Sequence, residues 1–234
     1  MIRVPPVTQS PCHLFPPPMA WQICECIDPE CAFRFPAEVF DPRRLHCPLC
    51  GAETRRMPAL DKGAPEVWPQ QQDMVNNIAP GMPPIYVILD NLRSTYNVGS
   101  IFRTADAVGV AQIHLCGITP TPDHPKVAKT ALGAEQTVPW GHHRNALHLA
   151  DSLHTQGVAL WALEVHPVAR SLFEAAPPTG PTALIVGSET CGVDPDLLAR
   201  CDAVYALPML GHKGSLNVAG AAAVALYHIR FAPK

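Results

Sequence analysis

Four cysteines have the spacing of a metal site. Cys47-Pro48-Leu49-Cys50-Gly51 sets two thiolates three residues apart, within reach of one tetrahedral ion, and the glycine lets the backbone turn its amides toward the sulfurs. Cys26 and Cys31 enclose a four-residue loop with Pro29, a second spacing usual for zinc ligands, and Cys24 is an alternative to Cys26. The predicted ligands of a structural Zn2+ are therefore Cys26, Cys31, Cys47 and Cys50, with the stretch between the pairs forming the short strands of a zinc ribbon. Cys12 beside His13 reads as a free thiol and a solvated imidazole, and Cys191 and Cys201 as structural, since neither has a paired base.

A second kind of chemistry is concentrated late in the chain. Gly187-Ser188-Glu189-Thr190-Cys191-Gly192 and Gly211-His212-Lys213-Gly214-Ser215-Leu216-Asn217 put polar side chains among glycines. Each follows an apolar run, Ala183–Val186 and Ala203–Leu207, that has the pattern of a buried strand. Ligands of open α/β sheets bind beyond the carboxyl ends of strands, so these loops are the candidate ligand site. Earlier, Asn97 is a plausible helix N-cap, and Ser100 and Arg103 share the face opposite an apolar stripe. Read alone, Arg103 is a solvated cation and His212 an exposed loop residue, while Lys213 is either another or a cation in reach of an RNA phosphate.

Alternating strand and helix patterns position these loops. Ile85–Leu89, Gln112–Cys116 and Val158–Leu163 join the two late runs as predicted strands; helices are predicted over 97–109, 126–133, 145–156 and 217–231. The order argues for an α/β domain with a mostly parallel sheet over 85–234. Ahead of it lie a Pro-rich lead-in (1–20), the small cysteine-bearing domain (21–56) and a Pro/Gln-rich linker (57–84). Arg34, Arg43, Arg44, Arg55 and Arg56 interleave with Phe33, Phe35 and Phe40, so the small domain could grip RNA phosphate and stack on bases. Equally, the rings could be its core and the arginines merely solvated.

The chain has 234 residues and a formal charge of −3, so any nucleic-acid partner must be held by a local patch. No apolar run approaches the ~20 residues that span a bilayer, and no secretory signal is evident. Nine cysteines, an odd count, fit a reducing compartment, and the expected location is cytoplasmic.

Taken together, Asn97-Val98-Gly99-Ser100-Ile101-Phe102-Arg103, then Gly187–Gly192, then Leu207-Pro208-Met209 with Ser215-Leu216-Asn217-Val218 resemble the three motifs of the SpoU (TrmH) family of RNA ribose 2′-O-methyltransferases. The resemblance runs from about Ile85 to Phe231, includes Lys126–Ala134, and leaves the cysteine-rich N-terminus as an addition. It implies the SPOUT fold with a C-terminal trefoil knot, S-adenosylmethionine bound there, a tRNA or rRNA substrate, and a homodimer whose two subunits can build one site. Carried over by position, it places Asn97, Arg103, Glu189, Ser215 and Asn217 at the reacting centre. Around the cofactor it places Leu163, Glu164, Gly187, Leu207, Met209 and Leu216. A guanidinium keeps its proton, so Arg103 is expected to hold an RNA phosphate rather than act as a base. With little positive charge in the larger domain, the arginines of the ribbon are expected to supply much of the RNA grip. The alternatives are methyl transfer to a base nitrogen on the same scaffold, or RNA binding without catalysis.

Overall fold

A computed structural model describes residues 21–59 and 82–233. The lead-in over 1–20 and linker residues 60–81 lie outside the described residues. The described parts belong to two units, divided in sequence at Gln72 and Asp73.

The first unit is a three-stranded antiparallel sheet of β1 (Trp21–Cys26), β2 (Arg34–Glu38) and β3 (Thr54–Ala59), in the order β2-β1-β3. The last strand runs to Ala59, three residues past the boundary read from the sequence. Strand alternation sorts the β1 side chains. Gln22, Cys24 and Cys26 are buried, whereas Glu25 lies on the other face beside Arg34 and Arg55. Its carboxylate takes both arginines, at 3.6 and 2.8 Å, and Asp41 takes Arg43 at 2.8 Å. Three of the five arginines expected to hold RNA are thus already ion-paired. Across 21–59 five arginines face six carboxylates, so the unit has no basic surplus. Phe33 and Phe35 stack at 5.8 Å and are half-buried, while Phe40 is 82% exposed.

The second unit holds a seven-stranded sheet in which every pairing is parallel. Its strands are β4 (Ile85–Asp90), β5 (Gln112–Cys116), β6 (Trp140–His143), β7 (Ala159–Leu163), β8 (Arg170–Ser171), β9 (Thr182–Val186) and β10 (Ala203–Ala206), ordered β6-β5-β4-β9-β7-β10-β8. The central strands β4, β7 and β9 are apolar apart from Asp90 and Thr182 at their ends, because helices cover both faces. Val87, Leu89, Leu184 and Val186 pack under α1 (Thr95–Val108), α2 (Pro125–Ala131), α3 (Ala134–Thr137) and α6 (Val218–Phe231). Ile88, Ala183 and Ile185 pack under α4 (Ala146–Thr155) and α5 (Pro195–Leu198).

Three details depart from the sequence reading. First, α1 is capped by Ser94, in extended conformation with its Oγ accepting from the Asn97 N–H at 3.3 Å. Asn97 therefore sits inside the first turn with its own amide free for other work. Second, the helix predicted over 126–133 stops at Ala131, because Leu132 is left-handed (φ 55°), and Gly133 (φ 97°) starts the separate α3. Third, β6, β8 and α5 carried no readable pattern. Trp140-Gly141-His142-His143 is a short, half-exposed edge strand, and β8 has two residues.

Candidate active site and metal centre

In the first unit, the turns after β1 and before β3 bring Cys26, Cys31, Cys47 and Cys50 together, every pair of sulfurs within 4.8 Å. Cys26 Sγ lies 3.4 Å from Cys50 Sγ, and Cys31 Sγ 3.7 Å from Cys47 Sγ. A tetrahedron with metal–sulfur bonds of about 2.3 Å has edges of about 3.8 Å, so the donor set and its spacing fit zinc. The Leu49 N–H points at Cys47 Sγ at 3.4 Å. Burial alone would raise the Cys47 thiol, but the N–H groups of Cys50 and Leu49 and the neighbouring thiols bring it down to about 7. Cys24 lies outside the group, fully buried opposite Phe35.

In the second unit, the loops after β4, β9 and β10 converge. Glu189 reaches from the β9 loop to the start of α1. One carboxylate oxygen accepts from the Arg93 N–H at 2.9 Å; the other accepts from the Ser94 N–H at 3.2 Å and Asn97 Nδ2 at 2.8 Å. Burial would raise its pKa, but the hydrogen bonds from Arg93, Asn97 and Ser94 outweigh that and hold it below its ordinary 4.5. Asn97 Oδ1 accepts from Asn217 Nδ2 at 3.0 Å, and Asn217 Oδ1 caps α6 through the Ala219 and Gly220 N–H groups. The amide orientations are mutually determined: a carboxylate needs a donor, and a helix N-terminus needs an acceptor.

The β9 loop is held tightly at its base. Ser188 and Gly192 exchange backbone hydrogen bonds of 3.0 and 2.9 Å. A Cβ on Gly187 would lie 2.1 Å from the backbone of Gly192 and Val193, so glycine is demanded here by chain on chain. Glu164 accepts from the N–H groups of Val165 and Val193, both at 2.9 Å. Asp90, 2% exposed, accepts from the Asp194 N–H at 2.9 Å. Sequence reasoning missed these braces: a lone carboxylate at a strand end has no motif to flag it.

A cleft of ≈ 360 Å³ opens beside these loops, a size suited to a small-molecule ligand. All six residues expected at the cofactor line it: Leu163, Glu164, Gly187, Leu207, Met209 and Leu216. So do Glu189, Ser215 and Asn217. Asn97 joins the group through its hydrogen bonds, but Arg103 does not line the cleft. It stands exposed on α1, and among the described residues it has no ion pair. His212 and Lys213 are exposed in the β10 loop.

Residues 84–227 match the model of the SpoU rRNA methylase family. The chain is 35% identical over 145 residues to a tRNA (guanosine(18)-2′-O)-methyltransferase of Thermus thermophilus, covering 62% of this chain and 73% of that protein. It is 31% identical over 157 residues to the 23S rRNA (guanosine-2′-O-)-methyltransferase RlmB of Vibrio parahaemolyticus, covering 67% and 63%. The crystal structure of the SpoU methyltransferase AviRb from Streptomyces viridochromogenes, in complex with AdoMet, superposes with a TM-score of 0.58 at 28% identity over 64% of this chain and 61% of that one.

Proposed function

The chain belongs to the SpoU rRNA methylase family, and from that premise we propose that it methylates a ribose 2′-hydroxyl of tRNA or rRNA. The carrying observation is that Glu189, Asn97 and Asn217, from three separate motifs, form one hydrogen-bonded chain at the mouth of the cleft. S-adenosylmethionine, when bound, supplies a sulfonium methyl, which an oxygen nucleophile takes in line as the carbon–sulfur bond breaks. Leu163, Leu207 and Leu216 would give its adenine apolar walls, with backbone groups at Glu164 and Met209 alongside.

The protein's own residues act mainly by position. Glu189 has both oxygens occupied and a lowered pKa, which makes it a brace and a poor base at neutral pH. It fixes the first turn of α1, from which Arg103 projects as a free cation for the RNA phosphate and for charge developing on the attacking oxygen. Ser215 lines the cleft as a hydroxyl that can orient the acceptor.

Zinc and self-association belong to the same proposal. Cys26, Cys31, Cys47 and Cys50 would hold a structural Zn2+. A homodimer is supported by an apolar stripe on α6: Val224, Tyr227 and Phe231 are exposed at helical spacing, with the last two rings 5.5 Å apart. The position of Arg103 outside its own chain's cleft also suits a site completed by a second copy. The trefoil threading is supported by three loops, after β7, β9 and β10, that line one cleft. Among the described residues no helix is long and apolar enough to cross a membrane.

Ribose-methylation maps of tRNA and rRNA with and without the protein test the function. Arg103→Lys tests the clamp: turnover should fall about 10²-fold with cofactor binding intact. Near-full turnover in that variant would remove Arg103 from the phosphate.

A further inference from the structure

The loops after β4, β5 and β6 form a shelf that the cofactor cleft does not use. Hydrogen bonds lace them together. The Gly117 N–H donates to the His143 carbonyl at 2.9 Å, and His142 Nε2 meets the Gly117 carbonyl at 2.8 Å. Asn91 Oδ1 accepts from the Ile118 N–H at 3.2 Å. Thr119 Oγ1 accepts from the Leu92 N–H at 3.1 Å and donates to the Cys116 carbonyl at 2.7 Å. Asn91 is left-handed (φ 56°), and a Cβ on Gly117 would lie 2.1 Å from its Oδ1. Such interlocking holds a surface in one shape before any ligand arrives.

An exposed cation follows each of the three strands: Arg93 in the loop after β4, Lys126 in the first turn of α2 after β5, and Arg144 directly after β6. None has an ion pair among the described residues. The nearest carboxylate in sequence, Asp123, accepts from the Thr121 hydroxyl at 3.0 Å, and Asp90 is buried. Ile118, 69% exposed, adds an apolar surface beside them. The Arg93 N–H is itself held by Glu189, so the row of cations begins at the proposed acceptor site. In the first unit, by contrast, three of the five arginines, Arg34, Arg43 and Arg55, are already engaged by Glu25 and Asp41.

We propose that the phosphate backbone of a single-stranded or looped RNA segment, flanking the methylated nucleotide, runs along this shelf from Arg93 to Arg144. This deepens the methyltransferase reading and rests on it. Preformed cations in a row suit a polyanion, whose binding is driven by release of its counterions.

The test uses the full chain with Lys126→Glu and Arg144→Glu combined, neither residue lining the cleft. Binding of transcribed tRNA and rRNA fragments is measured across a salt series, with S-adenosylhomocysteine affinity and methyl transfer in parallel. RNA affinity at about 0.15 M salt should fall at least about tenfold. The salt slope should shrink by about 1.4, as for two lost single-strand phosphate contacts. Cofactor-product affinity should hold. The comparison arm, Arg34→Glu with Arg55→Glu, should change RNA affinity less. Methylation by the unaltered protein with unchanged affinity and slope in the shelf variant would overturn the track alone, as would a larger loss in the comparison arm. Failure of the unaltered protein to methylate any RNA would overturn the methyltransferase reading and the track with it.

Discussion

Asn97 and Asn217, 120 positions apart in the chain, meet through one 3.0 Å hydrogen bond, Nδ2 of the second donating to Oδ1 of the first. Each amide has its other end committed, to Glu189 in one case and to the start of α6 in the other. Neither side chain is left free to accept a proton. Together they fix the first turn of α1 against the start of α6.

Serine at position 217 separates the two tasks of that asparagine. It caps a helix about as well as asparagine but is too short to replace the bond to Asn97. Thermal unfolding of Asn217→Ser should stay within about 0.5 kcal/mol of the unaltered protein. Methyl transfer should fall about tenfold, the equivalent of one lost positioning contact. Unreduced turnover would show that the link is idle.

At Gly187 a single methyl group would run into the peptide unit joining Gly192 and Val193. Gly187→Ala must push the loop outward, at a cost of about 1–3 kcal/mol. Calorimetry should show S-adenosylmethionine affinity weakened about tenfold or more, with the far-ultraviolet spectrum retained.

The four-cysteine group calls for a metal analysis. The purified chain should carry about one zinc, and Cys47→Ser should lose it. Chelation should unfold the first unit, whose buried apolar residues are few, and leave S-adenosylhomocysteine binding in place. A full complement of metal in Cys47→Ser would refute the assignment.

His114 gives the protein a predictable acid response. It is 5% exposed, its Nδ1 lies 3.0 Å from His143 Nε2, and its own Nε2 has no partner among the described residues. Burial, aided by His143, lowers its pKa from 6.5 to about 4. Above 6.5 it is neutral folded or unfolded and adds no pH dependence. As pH falls from 6.5 towards 4 the unfolded chain takes up a proton that the folded one refuses, so stability declines. The full loss is about 3 kcal/mol at most. Urea midpoints at several pH values should show a shallower decline for His114→Phe; an unchanged slope would assign the effect elsewhere.

The parallel sheet was legible because its inner strands, such as Thr182–Val186, are buried at every position and apolar at all but the first. The edge strands were not. β6 spends two of four residues on histidine, and β8 is too short for any period. At the site, the residues with unusual types among glycines could be picked out, and those from the late motifs do share a cleft. The bracing of Glu164 and Asp90 could not be, since it depends on where loops return after long excursions. Asn97 is the instructive case. Its type suggested a cap, but Ser94 three residues earlier takes that role and so frees the amide.

The position of β9 also governs how the sheet can assemble. It pairs with β4 on one side and β7 on the other, so among the described residues Thr182–Val186 is the strand that joins the β6-β5-β4 half to the rest. During synthesis the earlier half must wait, with the apolar edge of β4 uncovered, until residue 186 has left the ribosome. Contacts of such long sequence separation form slowly and expose sticky intermediates.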